Sequence, residues 1–181
     1  MTMMTVKTFS GLEFGLRRAG HDDATLLSDF WRHISPANRP ARYIGMDDPA
    51  EPAASVLDGQ SGRTATFLAF GGNGAVIAVG ILVADVDGHT ARVMVFTRDE
   101  ITNHGISWAV LEALLTHARQ AGIIRVTSVF SVADARAIRL ERKMGFSEAD
   151  FPGHPDYRLL EWNLEQPAVP QRTRVSPENN I

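Results

Sequence analysis

Cysteine is absent from all 181 residues, which removes disulfide staples, thiolate metal sites and a cysteine nucleophile together. No apolar run approaches the roughly 18 residues needed to cross a bilayer. Met1-Thr-Met-Met-Thr5 lacks the basic and apolar regions of a signal peptide, so the expectation is a cytoplasmic protein with no membrane partner. Neither sign of charge is in large excess. Eighteen Lys and Arg against 21 Asp and Glu leave a net charge of −3 at pH 7, and the basic residues are dispersed rather than striped, which argues against a nucleic-acid partner. His21, His33, His89, His104, His117 and His154 show no metal-ligand spacing, so no metal is expected. No Gly-x-Ser-x-Gly elbow occurs, and a serine hydrolase is a poor reading.

What is present fits one domain. Hydrophobic residues make up 44% of the chain, enough for one good core but a tight fit for two. Residues 1–10 read as an N-terminal tail, 11–165 as the domain and 166–181 as a disordered C-terminal tail. That last stretch is rich in Pro, Ser, Asn and Arg and has no apolar period. Phe14-Gly-Leu-Arg-Arg18 has the length of a short strand. A helix over Asp22 to Ile34 follows, with Leu26, Leu27, Phe30, Trp31 and Ile34 as its apolar stripe and acidic residues at its N-terminus, where the helix dipole favours them. Ser35-Pro36 stops it. From Ala37 to Ser61 prolines, glycines and acidic residues break any long period, apart from a turn of helix at Ala53 to Leu57. This predicts a partly helical, mobile excursion.

Thr64 to Phe70 and Ala75 to Val83 are apolar runs separated by Gly71-Gly-Asn-Gly74, the chemistry of a hairpin. A second turn at Asp87-Gly88 returns the chain through Ala91 to Thr97, completing a three-stranded meander. Trp108, Leu111, Leu114, Leu115 and Ala118 share one face of a helix from Gly105 to Gln120 and read as core, with Gly122 supplying its end. The next strand spans Ile123 to Phe130. A parallel neighbour for it requires a crossover, which that helix supplies. A helix from Ala133 to Met144 ends at Gly145, and Tyr157 to Leu164 forms the last strand.

Strand, glycine-containing loop, helix, strand, helix and Lys143-Met-Gly-Phe146, in that order, resemble the core of the GNAT superfamily of acetyltransferases. The likeness covers Phe14 to Leu164. Two segments look more narrowly like the GNAT domain of bacterial protein lysine acetyltransferases. One is Leu16-Arg-Arg-Ala-Gly-His-Asp-Asp-Ala24 with Ile34-Ser-Pro-Ala-Asn-Arg-Pro-Ala-Arg-Tyr43. The other is Ala84-Asp-Val-Asp-Gly88 with Val95-Phe-Thr-Arg-Asp-Glu-Ile101. The implied fold class is α/β (α+β), a GNAT fold with a mixed central sheet of six or seven strands flanked by about four helices. The implied co-substrate is acetyl-CoA or another short acyl-CoA, and the implied acceptor is a small-molecule amine or a protein lysine. A homodimer is compatible with the resemblance, although no exposed apolar stripe demands one.

The family's phosphate-binding motif, Gln/Arg-x-x-Gly-x-Gly/Ala, corresponds here to Thr102-Asn103-His104-Gly105-Ile106-Ser107. Backbone N–H groups at a helix N-terminus can cradle a pyrophosphate whatever the side chains. The long side chain at the first position is replaced by Thr102, which predicts weaker affinity, with His104 as a compensating cation when protonated. Val95, Phe96 and Thr97 would pair with the pantetheine arm as an added strand. Asp134 falls where relatives often carry an asparagine; it would bond the cofactor arm or cap the helix. Glu141 replaces the tyrosine that commonly protonates the departing thiolate. Arg92 replaces a glutamate that serves several relatives as a base, and arginine cannot be one; it would instead anchor an anionic group on the acceptor.

The bland readings of these residues are a plain helix entry at the loop, a solvated helix charge at Glu141 and an outward strand residue at Arg92. The leading functional reading is an acetyl-CoA-dependent N-acetyltransferase working by direct amine attack in a ternary complex, with Asp85, Glu100 or Glu141 ending a water relay. Positioning alone supplies much of such a rate. Arg42 and Tyr43 are candidates for the acceptor groove. The alternative is a catalytically degenerate GNAT-fold module that binds or senses acyl-CoA without turnover.

Overall fold

A computed structural model describes residues 3–34, 63–101 and 105–165. Among these, eight strands form one sheet: β1 (Met4–Lys7), β2 (Glu13–Arg18), β3 (Thr64–Phe70), β4 (Val76–Ala84), β5 (Thr90–Thr97), β6 (Arg125–Ser131), β7 (Ser147–Asp150) and β8 (Tyr157–Asn163). The strand order is β1-β2-β3-β4-β5-β6-β8-β7. Three α-helices accompany them, α1 (Ala24–Arg32), α2 (Ile106–Gln120) and α3 (Ala135–Met144). The sheet thus has more strands than the six or seven expected. The extra ones are the edges β1 and β7, whose residues are mostly exposed: β1 is only four residues long, and β7 has no apolar alternation. Met4–Lys7, read as tail from sequence, pairs with Glu13–Leu16. The anticipated helical turn at 53–57 and the tail at 166–181 lie outside the described residues, as do Arg42 and Tyr43.

Every strand pair is antiparallel except β5 with β6. Helix α2 is the crossover between those two. The hairpin glycines act as their chemistry predicts: Gly74 takes φ of +77° and its N–H reaches Gly71 O at 2.9 Å, while Gly88 takes +71° and its N–H reaches Asp85 O at 3.0 Å. The first helix is shorter than the expected Asp22 to Ile34, because His21–Asp23 forms a 3-10 turn ahead of it and the helix ends at Arg32 with His33 as its C-cap.

Alternation along the strands sends side chains to two separate cores. On one face Leu27, Phe30, Trp31 and Ile34 pack against Leu68, Val79, Ile81, Met94 and Phe96. On the other, Val110, Leu111, Leu114 and Leu115 of α2 and Ile138 and Met144 of α3 cover Ala69, Ala78, Leu82, Val93, Val126 and Leu160. Gly80 lets α2 approach closely. A Cβ there would stand 2.5 Å from Val110 Cγ1 and 3.1 Å from Leu114 Cδ1.

The first helix is tied to the sheet by an ion pair. Arg17 donates to both oxygens of Asp23 at 2.6 and 2.7 Å, the Gly20 N–H donates to Asp23 Oδ2 at 2.7 Å, and the Arg17 guanidinium lies 4.8 Å from the centre of the Phe70 ring. The Arg17 hydrogen bonds hold the Asp23 carboxyl below the usual carboxylate range, against an opposing effect of burial.

Candidate active site

The one parallel ladder is short. Thr90, Ala91 and Arg92 register with Arg125, Val126 and Thr127, and there the β5–β6 pairing stops although β5 continues to Thr97 and β6 to Ser131. Beyond that point the strands diverge, and the gap is a cleft of about 250 Å³. Val95, Phe96 and Thr97 of β5 line one wall. Phe130 of β6 and Asp134, Ala137, Leu140 and Glu141 at and along α3 line the other, while Ser107 and Leu111 of α2 close the floor.

Six of the twelve site residues picked from sequence line this cleft: Val95, Phe96, Thr97, Ser107, Asp134 and Glu141. Thr97 from β5, Ser107 from α2, and Asp134 and Glu141 from the N-cap and body of α3 meet at one cavity. Asp134 occupies the N-cap position of α3 but makes no side-chain capping bond; it faces the cleft instead. Glu141 is not the solvated helix charge of the bland reading. It is only 4% exposed, and the hydroxyl of Ser128, 1% exposed, donates a hydrogen bond to its Oε2.

Gly105 takes φ of +81° and starts α2, an assignment that suits glycine because the left-handed region costs other residues. The first-turn amides of α2 have no acceptor within the helix, and Ser107, in that turn, lines the cleft. The side chain of Ile106 is buried in the core, so any contribution it makes to a ligand is through its backbone. Thr102, Asn103 and His104 lie outside the described residues. Trp108 is half-buried: it packs against the core on that side and also lines a second, outer cleft of about 480 Å³, together with Phe9, Gly105, Arg136, Arg139 and Lys143.

Arg92 is not among the cleft residues. It sits in the closed, paired part of the ladder, between Val83 and Thr127, and alternation puts it on the same sheet face as Met94 and Phe96, which pack toward α1. Asp85 closes the β4–β5 turn with its N–H on Thr90 O at 2.8 Å, at the end of β5 away from the cleft. Glu100 is exposed in a 3-10 turn, whereas its neighbour Asp99 lines the cleft. Sequence reasoning missed Asp99 and Ser128. Asp99 is one of two adjacent acidic residues in a short turn, and only the fold distinguishes it from Glu100; Ser128 becomes visible only through the packing of α3 on β6. Among the described residues no three His, Asp or Glu side chains gather as a metal-binding group, and no helix is long and apolar enough to cross a membrane.

Comparison with known proteins supports what this geometry suggests. A family model described as the acetyltransferase (GNAT) family matches residues 27–146. The GNAT domain of Streptomyces lividans PAT superposes with a TM-score of 0.77 at 20% identity, covering 89% of this chain and 96% of that one. The yncA protein of Salmonella typhimurium, solved with its cofactor acetyl-CoA, gives 0.67 at 18%, covering 88% and 99%. A cAMP-binding acyltransferase from Mycobacterium smegmatis gives 0.63 at 17%, covering 90% of this chain and 47% of that one. No curated protein matches the chain. At these identities the superpositions establish the fold, while the family model covers well over half the sequence: the chain belongs to the acetyltransferase (GNAT) family.

Proposed function

We propose that this protein is an acetyl-CoA-dependent N-acetyltransferase that moves an acetyl group to an amine by direct attack in a ternary complex. The observation that supports it is the cleft between the diverging ends of β5 and β6, with Val95, Phe96 and Thr97 on one wall and Glu141 on the other. An extended thioester arm fits such a gap in place of a missing strand. Its carbonyl would lie along the β5 backbone and its sulfur toward α3.

In the reaction a bond forms between the acceptor nitrogen and the acetyl carbon, the carbon–sulfur bond breaks, one proton leaves nitrogen, and the departing thiolate gains one. This chain supplies two carboxyls at opposite sides of that exchange. Glu141, held by Ser128, stands at the buried wall and is assigned the proton for sulfur. Asp99, exposed at the mouth of the cleft, is assigned the proton from nitrogen through water. Arg92 is left without a role at the acceptor, because it lies outside the cleft. Holding donor and acceptor together in a narrow cleft supplies much of the rate without further groups.

A second reading, binding or sensing of acyl-CoA without turnover, draws support from the position of Arg92, where several relatives place a base. Thiol release from acetyl-CoA, followed with a panel of small amines and lysine peptides, separates the two. Acceptor-dependent release supports the transferase. Tight binding with no release for any acceptor supports the sensor.

A further inference from the structure

The outer cleft carries features that the transfer reaction itself does not use. Arg136, Arg139 and Lys143 line it from α3, at spacings of three, four and seven that place them on one helix face. All three are exposed, and none forms an ion pair among the described residues. Like charges at these spacings destabilise a helix. Among the described residues no acidic side chain lines the same cleft, although the chain as a whole is acidic. The arrangement therefore costs stability unless an anion occupies the space.

Opposite the cations stands Phe9, at the tip of the β1–β2 turn. The turn is well tied: the Thr8 N–H reaches Leu12 O at 2.9 Å, the Gly11 N–H reaches Thr8 O at 2.9 Å, and the Leu12 N–H reaches Thr8 Oγ1 at 3.2 Å. What the turn presents is an aromatic ring 85% exposed. One edge of the ring rests on Gly105, where a Cβ would come within 2.6 Å of Phe9 Cε1. A lone exposed phenylalanine needs no explanation. One that leans on the start of α2, across a cleft from three cations, is different.

We infer that Phe9 is a stacking platform for the adenine of the acyl-CoA donor, and that Arg136, Arg139 and Lys143 hold its phosphates. This rests on the proposed use of acyl-CoA and adds which residues recognise its nucleotide. Ser107, Arg136 and Leu140 line both clefts, so the inner and outer spaces join at the N-terminus of α2. A ligand with a thin thioester arm at one end, several phosphate charges in the middle and a planar base at the other matches that sequence of environments. The cations on α3 also supply positive charge that the sequence lacks at Thr102.

The test is calorimetric titration of the full chain and its variants with acetyl-CoA, acetyl-dephospho-CoA and S-acetylpantetheine, which lacks the nucleotide. Phe9→Ala should weaken acetyl-CoA by about 5- to 30-fold, in line with the loss of one base–aromatic stack, leave S-acetylpantetheine unchanged, and be restored by Phe9→Tyr. Replacing Arg139 and Lys143 together by Gln should remove most of the preference for acetyl-CoA over its dephospho form. Because all three side chains are exposed, the melting temperature should stay near that of the parent protein. Parent-like acetyl-CoA affinity in Phe9→Ala would overturn the platform while leaving the transferase reading intact. A parent protein that binds no acetyl-CoA at all would overturn both.

Discussion

The hydroxyl of Ser128 on β6 donates to the carboxyl of Glu141 on α3; both residues are almost wholly buried, and Glu141 lines the cleft. The bond fixes the carboxyl's direction. If Glu141 provides the proton for the leaving sulfur, Glu141→Gln keeps the shape and a hydrogen-bonding group while removing the transferable proton. Its kcat should fall about 10²-fold, the typical worth of general acid catalysis, with KM for acetyl-CoA little changed. The pH profile distinguishes this from a structural role: a proton donor predicts that kcat of the parent falls toward high pH and that this fall is absent in the variant, whereas a structural role predicts the same profile in both.

Ser128→Ala removes the buried hydroxyl that donates to Glu141 Oε2. Such a loss costs about 1–3 kcal/mol, readable as a lower denaturant midpoint. Ser128→Thr, which keeps the hydroxyl, should recover activity further than Ser128→Ala does, provided the extra methyl is accommodated; a common loss in both would assign Ser128 to packing alone.

The Arg17–Asp23 pair makes a prediction about acid stability. The folded state holds the Asp23 carboxyl below its ordinary value of 3.8 through the Arg17 hydrogen bonds. Its contribution is therefore fully present above about pH 4 and is lost as pH falls through the lowered folded value. His117 adds to the same trend: burial first, and the charge of Arg18 second, push its pKa below 6.5, so its neutral form favours folding above that pH and the benefit drains away below it. Asp23→Asn strands the Arg17 charge and should cost on the order of 3 kcal/mol near neutrality. The gap between parent and variant should narrow below pH 4, as measured by chemical denaturation across pH.

Gly80 is where α2 lies closest to the sheet. Gly80→Ala places a methyl against the branched side chains of Val110 and Leu114 and should cost about 1–3 kcal/mol through overpacking. Adding Val110→Ala removes the nearest clash, so the double variant should lose less than the sum of the two single changes.

The central elements were legible because their signals are local. Thr64–Phe70 has the bounds expected from its apolar run, and Gly71–Gly74 turns as its glycines dictate. The stripe of Leu111, Leu114 and Leu115 is buried as its spacing implies. What stayed hidden depends on neighbours. β7 is Ser-Glu-Ala-Asp, exposed throughout, and is a strand because β8 pairs with it. Ser128 and Glu141 are 13 residues apart and meet through the packing of α3 on β6, which no period announces. Arg92 shows the reverse case: alignment along the strand suggested a site residue, but the cleft opens only after β5 and β6 part, three residues later.

The central claim is that the space between β5 and β6 holds an acyl-CoA. Isothermal titration of the purified protein with acetyl-CoA, and separately with CoA, tests it most directly. The account predicts saturable binding of both at one site with micromolar affinity; no heat of binding at millimolar ligand would contradict it.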